Sequence, residues 1–129
     1  MRSYAREVAF CKIYTYVMCG EYDGDFSQFD ADKLSQEDRT FADALIRGVI
    51  QQKDKLDGII TQFCRAYRAE RIYRPDLACL ELALYEMINC DTPHPVVINE
   101  AAGIAKKYST EKSVGFVNGI LAAYERSLS

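Results

Sequence analysis

One histidine, five cysteines and nineteen acidic residues are the groups in this 129-residue chain that could do acid–base, metal or covalent chemistry. Their spacing argues against all three. His94, the lone imidazole, lies between Pro93 and Pro95 and is expected in an exposed turn, which leaves no imidazole general base. Cys11, Cys19, Cys64, Cys79 and Cys90 are odd in number, contain no Cys-x-x-Cys pair and have mostly apolar neighbours. They are expected to be free thiols, without disulfides and without a zinc site. The acid pairs Asp23/Asp25 and Asp30/Asp32 resemble fragments of a calcium loop but lack its spacing and its terminal glutamate. No Gly-rich phosphate loop, nucleophile elbow or His-Glu-x-x-His motif occurs. No cofactor, metal or catalytic residue is expected, and the chain is read as a binding protein.

Chemistry of recognition is easier to find. On a helix over the last 18 or so residues, Phe116 points about 200° away from Val114 at ~100° per residue. Lys112, Gly115, Gly119 and Ala123 share its side. A ring among small residues and a lysine is a platform on which single-stranded bases stack, at ~1–3 kcal/mol per base. Close packing of a second helix over the same glycines is the other reading. Lys106 and Lys107 lie one helix earlier and join Lys112 if the last two helices pack antiparallel. Arg65, Arg68, Arg71 and Arg74 recur every three residues.

The elements that must position these groups are all helical. Ser3 is expected to cap a first helix to about Cys19 that is apolar on more than one side, and therefore central or covered by a partner. Gly20 to Asp32 reads as an acidic loop. Ser35-Gln36-Glu37-Asp38 opens a second helix with Phe41, Leu45, Ile46 and Val49 on one face. A break at residues 53–55 precedes a third. Pro75 opens a fourth with the stripe Leu77, Leu80, Leu84, Met87, Ile88. Pro95 opens a fifth (Val97, Ala101, Ile104, Tyr108), and Thr110 caps a sixth (Val114, Val117, Leu121, Tyr124).

This length suits one domain, 1–129, with a core that needs no staples. No apolar run reaches the ~20 residues of a membrane span, and the N-terminus lacks a secretory pattern, so a cytoplasmic location is expected. Net charge is −3. Its distribution is uneven: residues 21–38 hold seven acids against Lys33, whereas residues 65–74 hold four arginines against Glu70. Separate basic segments on an acidic chain can still meet phosphates locally.

Several ordered motifs resemble one family. Leu80-Glu81-Leu82-Ala83-Leu84-Tyr85-Glu86, Val97-Ile98-Asn99-Glu100-Ala101, Ala105-Lys106-Lys107-Tyr108 and Phe116-Val117-Asn118-Gly119-Ile120-Leu121 look like successive signatures of the NusB antitermination family. Ala5-Arg6-Glu7 with Tyr14 fits its first helix. Tyr67, Arg71 and Asp76 stand where the family commonly has Trp, Arg and Asp. The resemblance implies an all-α, NusB-like fold of six to seven helices in two small bundles. It implies a non-enzymatic factor that binds single-stranded boxA-type RNA of rRNA operon leaders together with NusE, a small-subunit ribosomal protein. Other Nus factors and RNA polymerase would be indirect partners, and the protein would be a monomer or homodimer. By position, Arg2, Arg6, Lys106, Lys107, Lys112 and Phe116 are the RNA candidates. Tyr14, Glu70 and Asp76 are the partner candidates. Asn99, Glu100 and Asn118 are alternatively polar links between helices. Two further readings stay open: a domain working with an rRNA methyltransferase, although no methyltransferase motif is present, and an interaction module with reduced RNA binding.

This sequence departs from the family where charge matters. The basic N-terminus is reduced to Arg2 and Arg6, Glu81 replaces an arginine, and Gly115 stands where a lysine is common. Lys112, where an acid is frequent, offsets part of this. A filter-binding titration of boxA RNA is expected to show stronger dependence on NusE than basic relatives have. Equal affinity with and without NusE contradicts that expectation.

Overall fold

Pro75 sets the direction of the most buried helix in the molecule. The computed structural model describes residues 2–65 and 67–129. Its α-helices are α1 (Arg2–Cys19), α2 (Gln36–Gln51), α3 (Lys53–Phe63), α4 (Arg74–Asn89), α5 (His94–Tyr108) and α6 (Glu111–Ser127). Short 3-10 turns occupy Ala31–Lys33 and Ala69–Arg71. Pro75 lies in the first turn of α4, where its missing N–H removes no intrahelical bond. Leu77, Leu80, Leu82, Leu84 and Met87 are all buried, so α4 is apolar around most of its circumference. Such a helix must be surrounded. α1, α2 and α3 pack with it as one group, and α5 and α6 pack with it as a second. The apolar surround of α1 is likewise explained within the chain, because α1 packs against α2, α4 and α5.

Local signals fix the helix starts. Ser35 Oγ accepts the Asp38 N–H at 3.1 Å, and Asp38 returns the bond to the Ser35 N–H at 3.2 Å, closing a capping box. Thr110 and Ser113 make the equivalent pair at α6. α2 and α3 are separated at Gln52 alone. Ser3 is inside α1 and does not cap it; its hydroxyl donates to Glu100 on α5 at 2.7 Å. His94 is not an exposed turn residue. It is half-buried at the start of α5, with Nδ1 against Glu125 and Nε2 against the Met87 carbonyl at 3.0 Å, and so ties the ends of α4, α5 and α6 together. Gly48 marks a close approach of α2 to α4: a Cβ there would lie 2.1 Å from Cζ of Tyr85. Among the described residues no helix is long and apolar enough to cross a membrane, and all five cysteines are free, with Cys64 and Cys79 buried and Cys19 exposed.

Glu81 belongs to this interior and not to the surface. It is fully buried, and its Oε2 accepts from Lys53 Nζ at 2.6 Å. The same ammonium reaches Asp57 at 3.1 Å. Glu81 Oε1 and Asp57 Oδ1 are both buried without a hydrogen-bond partner. Burial and the facing Asp57 carboxyl, against the weaker opposing pull of Lys53, push the Glu81 carboxyl well above the usual carboxylate range. The folded protein therefore binds a proton that the unfolded chain has released. That contribution is full below the ordinary glutamate range and is lost as pH rises toward the elevated value. Glu81→Gln, which keeps the shape and supplies a permanent N–H donor, is expected to raise the melting temperature at pH 8 by about 3–6 °C. The gain should shrink toward pH 5. A gain that grows on acidification would contradict the assignment.

Candidate nucleic-acid and partner interface

Two residues, Ser109 and Thr110, turn the chain from α5 into α6, and a polar chain holds that turn against the start of α4. Ser109 Oγ donates to Asp76 Oδ1 at 2.6 Å and lies 2.8 Å from Ser113 Oγ. Asp76 is only 6% exposed. This partner candidate thus already has an internal partner, and its carboxylate forms the floor of a shallow depression. Tyr67, Tyr73, Thr110, Lys112 and Phe116 line the rest.

Phe116 projects into this depression from α6. Its ring is half-buried and stacks on Tyr67, with centroids 6.3 Å apart and planes 26° apart. Tyr67 is 41% exposed and Tyr73 57%. The open platform expected around Phe116 alone is therefore built from three rings, and the two tyrosines carry most of its exposed area. Reading residues 65–74 for charge missed them. Two large aromatics flanking a short polar turn are the signal that was available, since an exposed tyrosine outside a helix stripe has no core to fill. Lys112 stands exposed at the rim with no carboxylate partner among the described residues.

The other candidates are placed differently. Lys106 is exposed on α5. Lys107 is turned toward α1, where its Nζ donates to Glu7 at 2.6 Å; Glu7 also accepts from Tyr108 Oη at 2.9 Å and holds the Lys107 pKa above its ordinary value. Lys107 and Lys112 thus line different depressions. Arg2 lies over the Phe41 ring, 3.9 Å from its centroid. Tyr14 is half-buried and stacked on Phe10 at 6.3 Å and 14°. Glu70 is exposed and paired with Arg68 at 2.9 Å.

Arg6 separates from all of these. It is 7% exposed. Its Nε and Nη2 donate to Glu86 at 2.8 and 2.6 Å, and its Nη1 donates to Glu100 at 2.9 Å. Expected as a phosphate ligand, it is found joining α1, α4 and α5, with its charge paired to a carboxylate on both sides. Glu100 is accordingly the polar link that its position suggested. Asn99 and Asn118 are exposed, and no such link is made by either.

Residues 3–126 match the model of the NusB family. The chain belongs to the NusB family. The NusB antitermination protein of Syntrophotalea carbinolica is 44% identical over 69% of this chain and 58% of its own length. That of Acetivibrio thermocellus is 43% identical over 68% of this chain and 61% of its own. The matched stretch thus spans about three-fifths of these relatives. Among solved structures, T. maritima NusB superposes with a TM-score of 0.86 at 28% identity, covering 95% of this chain and 89% of that one. A NusB solved with NusE and double-stranded RNA superposes at 0.85 with 25% identity, covering 98% and 96%.

The Arg6 junction has a measurable consequence. Arg6→Met leaves the buried Glu86 carboxylate, and the half-buried Glu100 beside it, facing an apolar side chain, which costs about 3–5 kcal/mol. The expected result is a large fall in melting temperature. RNA affinity, measured well below the new transition, should change little. A loss of RNA binding with unchanged stability would return Arg6 to the list of direct contacts.

Proposed function

We propose that this NusB-family protein acts in transcription antitermination, binding boxA-type RNA together with NusE. The single observation that carries this reading is the aromatic depression beside the α5–α6 turn. A stacked Phe116–Tyr67 pair, an exposed Tyr73 and an unpaired Lys112 offer ring faces and one cation within one small area. That is the chemistry of single-strand stacking. The solved relative held by NusE contains double-stranded RNA. Because side chains do not reach bases inside an RNA duplex, a stacking site of this kind favours an unpaired segment.

The role is binding without catalysis. No group of three or more potential metal ligands gathers among the described residues. The partner contact is assigned to Tyr14, Glu70 and the region of Asp76, with NusE supplying the remaining affinity. Glu70 offers an exposed carboxylate for this. Arg2, Lys106 and Lys107 supply outlying positive charge for the RNA backbone, and Lys112 the nearest phosphate contact.

Electrophoretic mobility shift of a boxA RNA with this protein and its NusE, over a salt series, tests the reading. Phe116→Asp is expected to weaken binding by at least tenfold. Lys112→Gln should lower the salt slope by ~0.7 on a single strand. Unchanged binding by Phe116→Asp would favour an interaction module that has lost RNA recognition. Tighter binding to the fully paired duplex would move recognition from stacking to backbone contacts.

A further inference from the structure

The aromatic depression beside the α5–α6 turn holds one acceptor that stacking does not use. Asp76 stands in the first turn of α4, is almost wholly buried, and lines this depression of about 330 Å³ together with Tyr67, Tyr73 and Phe116. Its Oδ1 is committed, accepting the Ser109 hydroxyl at 2.6 Å. Its Oδ2 accepts from no donor among the described residues, yet it is not one of the side-chain oxygens sealed from solvent without a partner. Oδ2 is therefore open toward the depression that Asp76 lines. Lys112 stands at the rim and forms no ion pair with it. A carboxylate walled by protein on its other sides bonds a donor more strongly than one in water.

Ring faces take any base, because every base has a π-face. The edge of the base is where an oxygen at the floor discriminates. Cytosine and adenine carry an exocyclic amino group, which donates. Uracil carries a carbonyl oxygen where cytosine has its amino group, and a carboxylate repels it. The remaining N–H on that edge of uracil lies between two carbonyl oxygens, so it meets an anionic acceptor only against their repulsion. The Ser109 bond matters here, since it holds the carboxylate in place and leaves one oxygen, not two, for the base.

We propose that Asp76 selects the base bound in this depression: its Oδ2 accepts from the exocyclic amino group of a base stacked on the rings and turns uracil away. The proposal rests on the stacking reading of the same depression and adds to it the class of base that is taken. Lys112 pairs with phosphate whatever the base, so the selectivity belongs to Asp76 alone.

The probes are the ribo-tetranucleotides U-U-C-U and U-U-U-U, which carry the same phosphates and differ in one amino group. Each is titrated into the full chain without NusE, so that a partner contact in the same region does not enter, and the ring signals of Phe116, Tyr67 and Tyr73 are followed by NMR. Both should shift these rings, with U-U-C-U bound about fivefold more tightly. Asp76→Asn keeps an oxygen for Ser109 and puts an N–H donor in place of Oδ2. It should erase the preference or turn it toward uracil. A residue that only held the turn would lower both affinities by one factor, and that result would overturn the proposal. Equal binding of the two probes by the unmodified chain, with ring shifts from both, would overturn the selectivity and leave stacking standing. Ring shifts from neither would overturn both.

Discussion

A guanidinium held between the buried Glu86 carboxylate and the half-buried Glu100 carboxylate is the contact that the arrangement of α1, α4 and α5 depends on. Arg6 on α1 meets Glu86 on α4 and Glu100 on α5, and Thr92 and Ser3 complete the acceptor sites of the two glutamates. Taking these charges out of water is expensive, and a buried pair of this kind adds little net stability over an apolar contact of the same shape. What it adds is register. Nε and Nη2 address both oxygens of Glu86, and Nη1 addresses Glu100, so α1 cannot slide along α4 or rotate relative to α5 without unpairing a charge. The α5–α6 turn, and with it the platform, inherits its position from that constraint.

The same logic explains why polar residues recur at the joints of this mostly apolar interior. His94 links three helix ends, Asp76 holds the Ser109 turn, and Lys53 bridges Asp57 and Glu81. Each connects elements distant in sequence. Apolar stripes are non-directional and would tolerate several packings. Hydrogen-bonded charges tolerate far fewer. The Lys53 joint differs in having one cation for two buried carboxyls, and its remaining oxygens stay unmatched unless a proton sits between them. Glu81, being fully buried, is absent from the surface field altogether.

Helix periodicity, the capping signals at Ser35 and Thr110 and the prolines made the fold legible from residues alone, because each acts within a few positions. Local rules also set the limits. Ser3 looked like a cap because its type and place fit one, but its hydroxyl answers to Glu100, 97 positions away. His94 looked exposed because it stands between prolines, yet the partners that bury it come from Met87 and Glu125. Arg6 shares its residue type with surface phosphate ligands; only its distant glutamates distinguish it. The candidate site was half legible. Phe116 and Lys112 follow from one helix's periodicity, whereas Tyr67 and Tyr73 join them only through packing of the 3-10 turn against α6.

Residues 21–38 hold a dense run of negative charge, and none of them lines the aromatic depression beside the α5–α6 turn. The segment is tied to the N-terminal helices. Lys12 holds Asp23 at 3.2 Å, Tyr4 Oη accepts the Asp30 N–H at 3.0 Å, and Tyr22 binds Asp43 on α2. The aromatic depression is assembled instead from the α3–α4 connection and α6. At physiological ionic strength exposed charges are screened beyond ~8 Å. A nucleotide at Phe116 therefore responds to Lys112 and its immediate neighbours far more than to a net charge of −3. With one close cation, stacking supplies specificity while electrostatic attraction stays weak. A surface so balanced would gain most from a partner that brings its own positive charge to the strand.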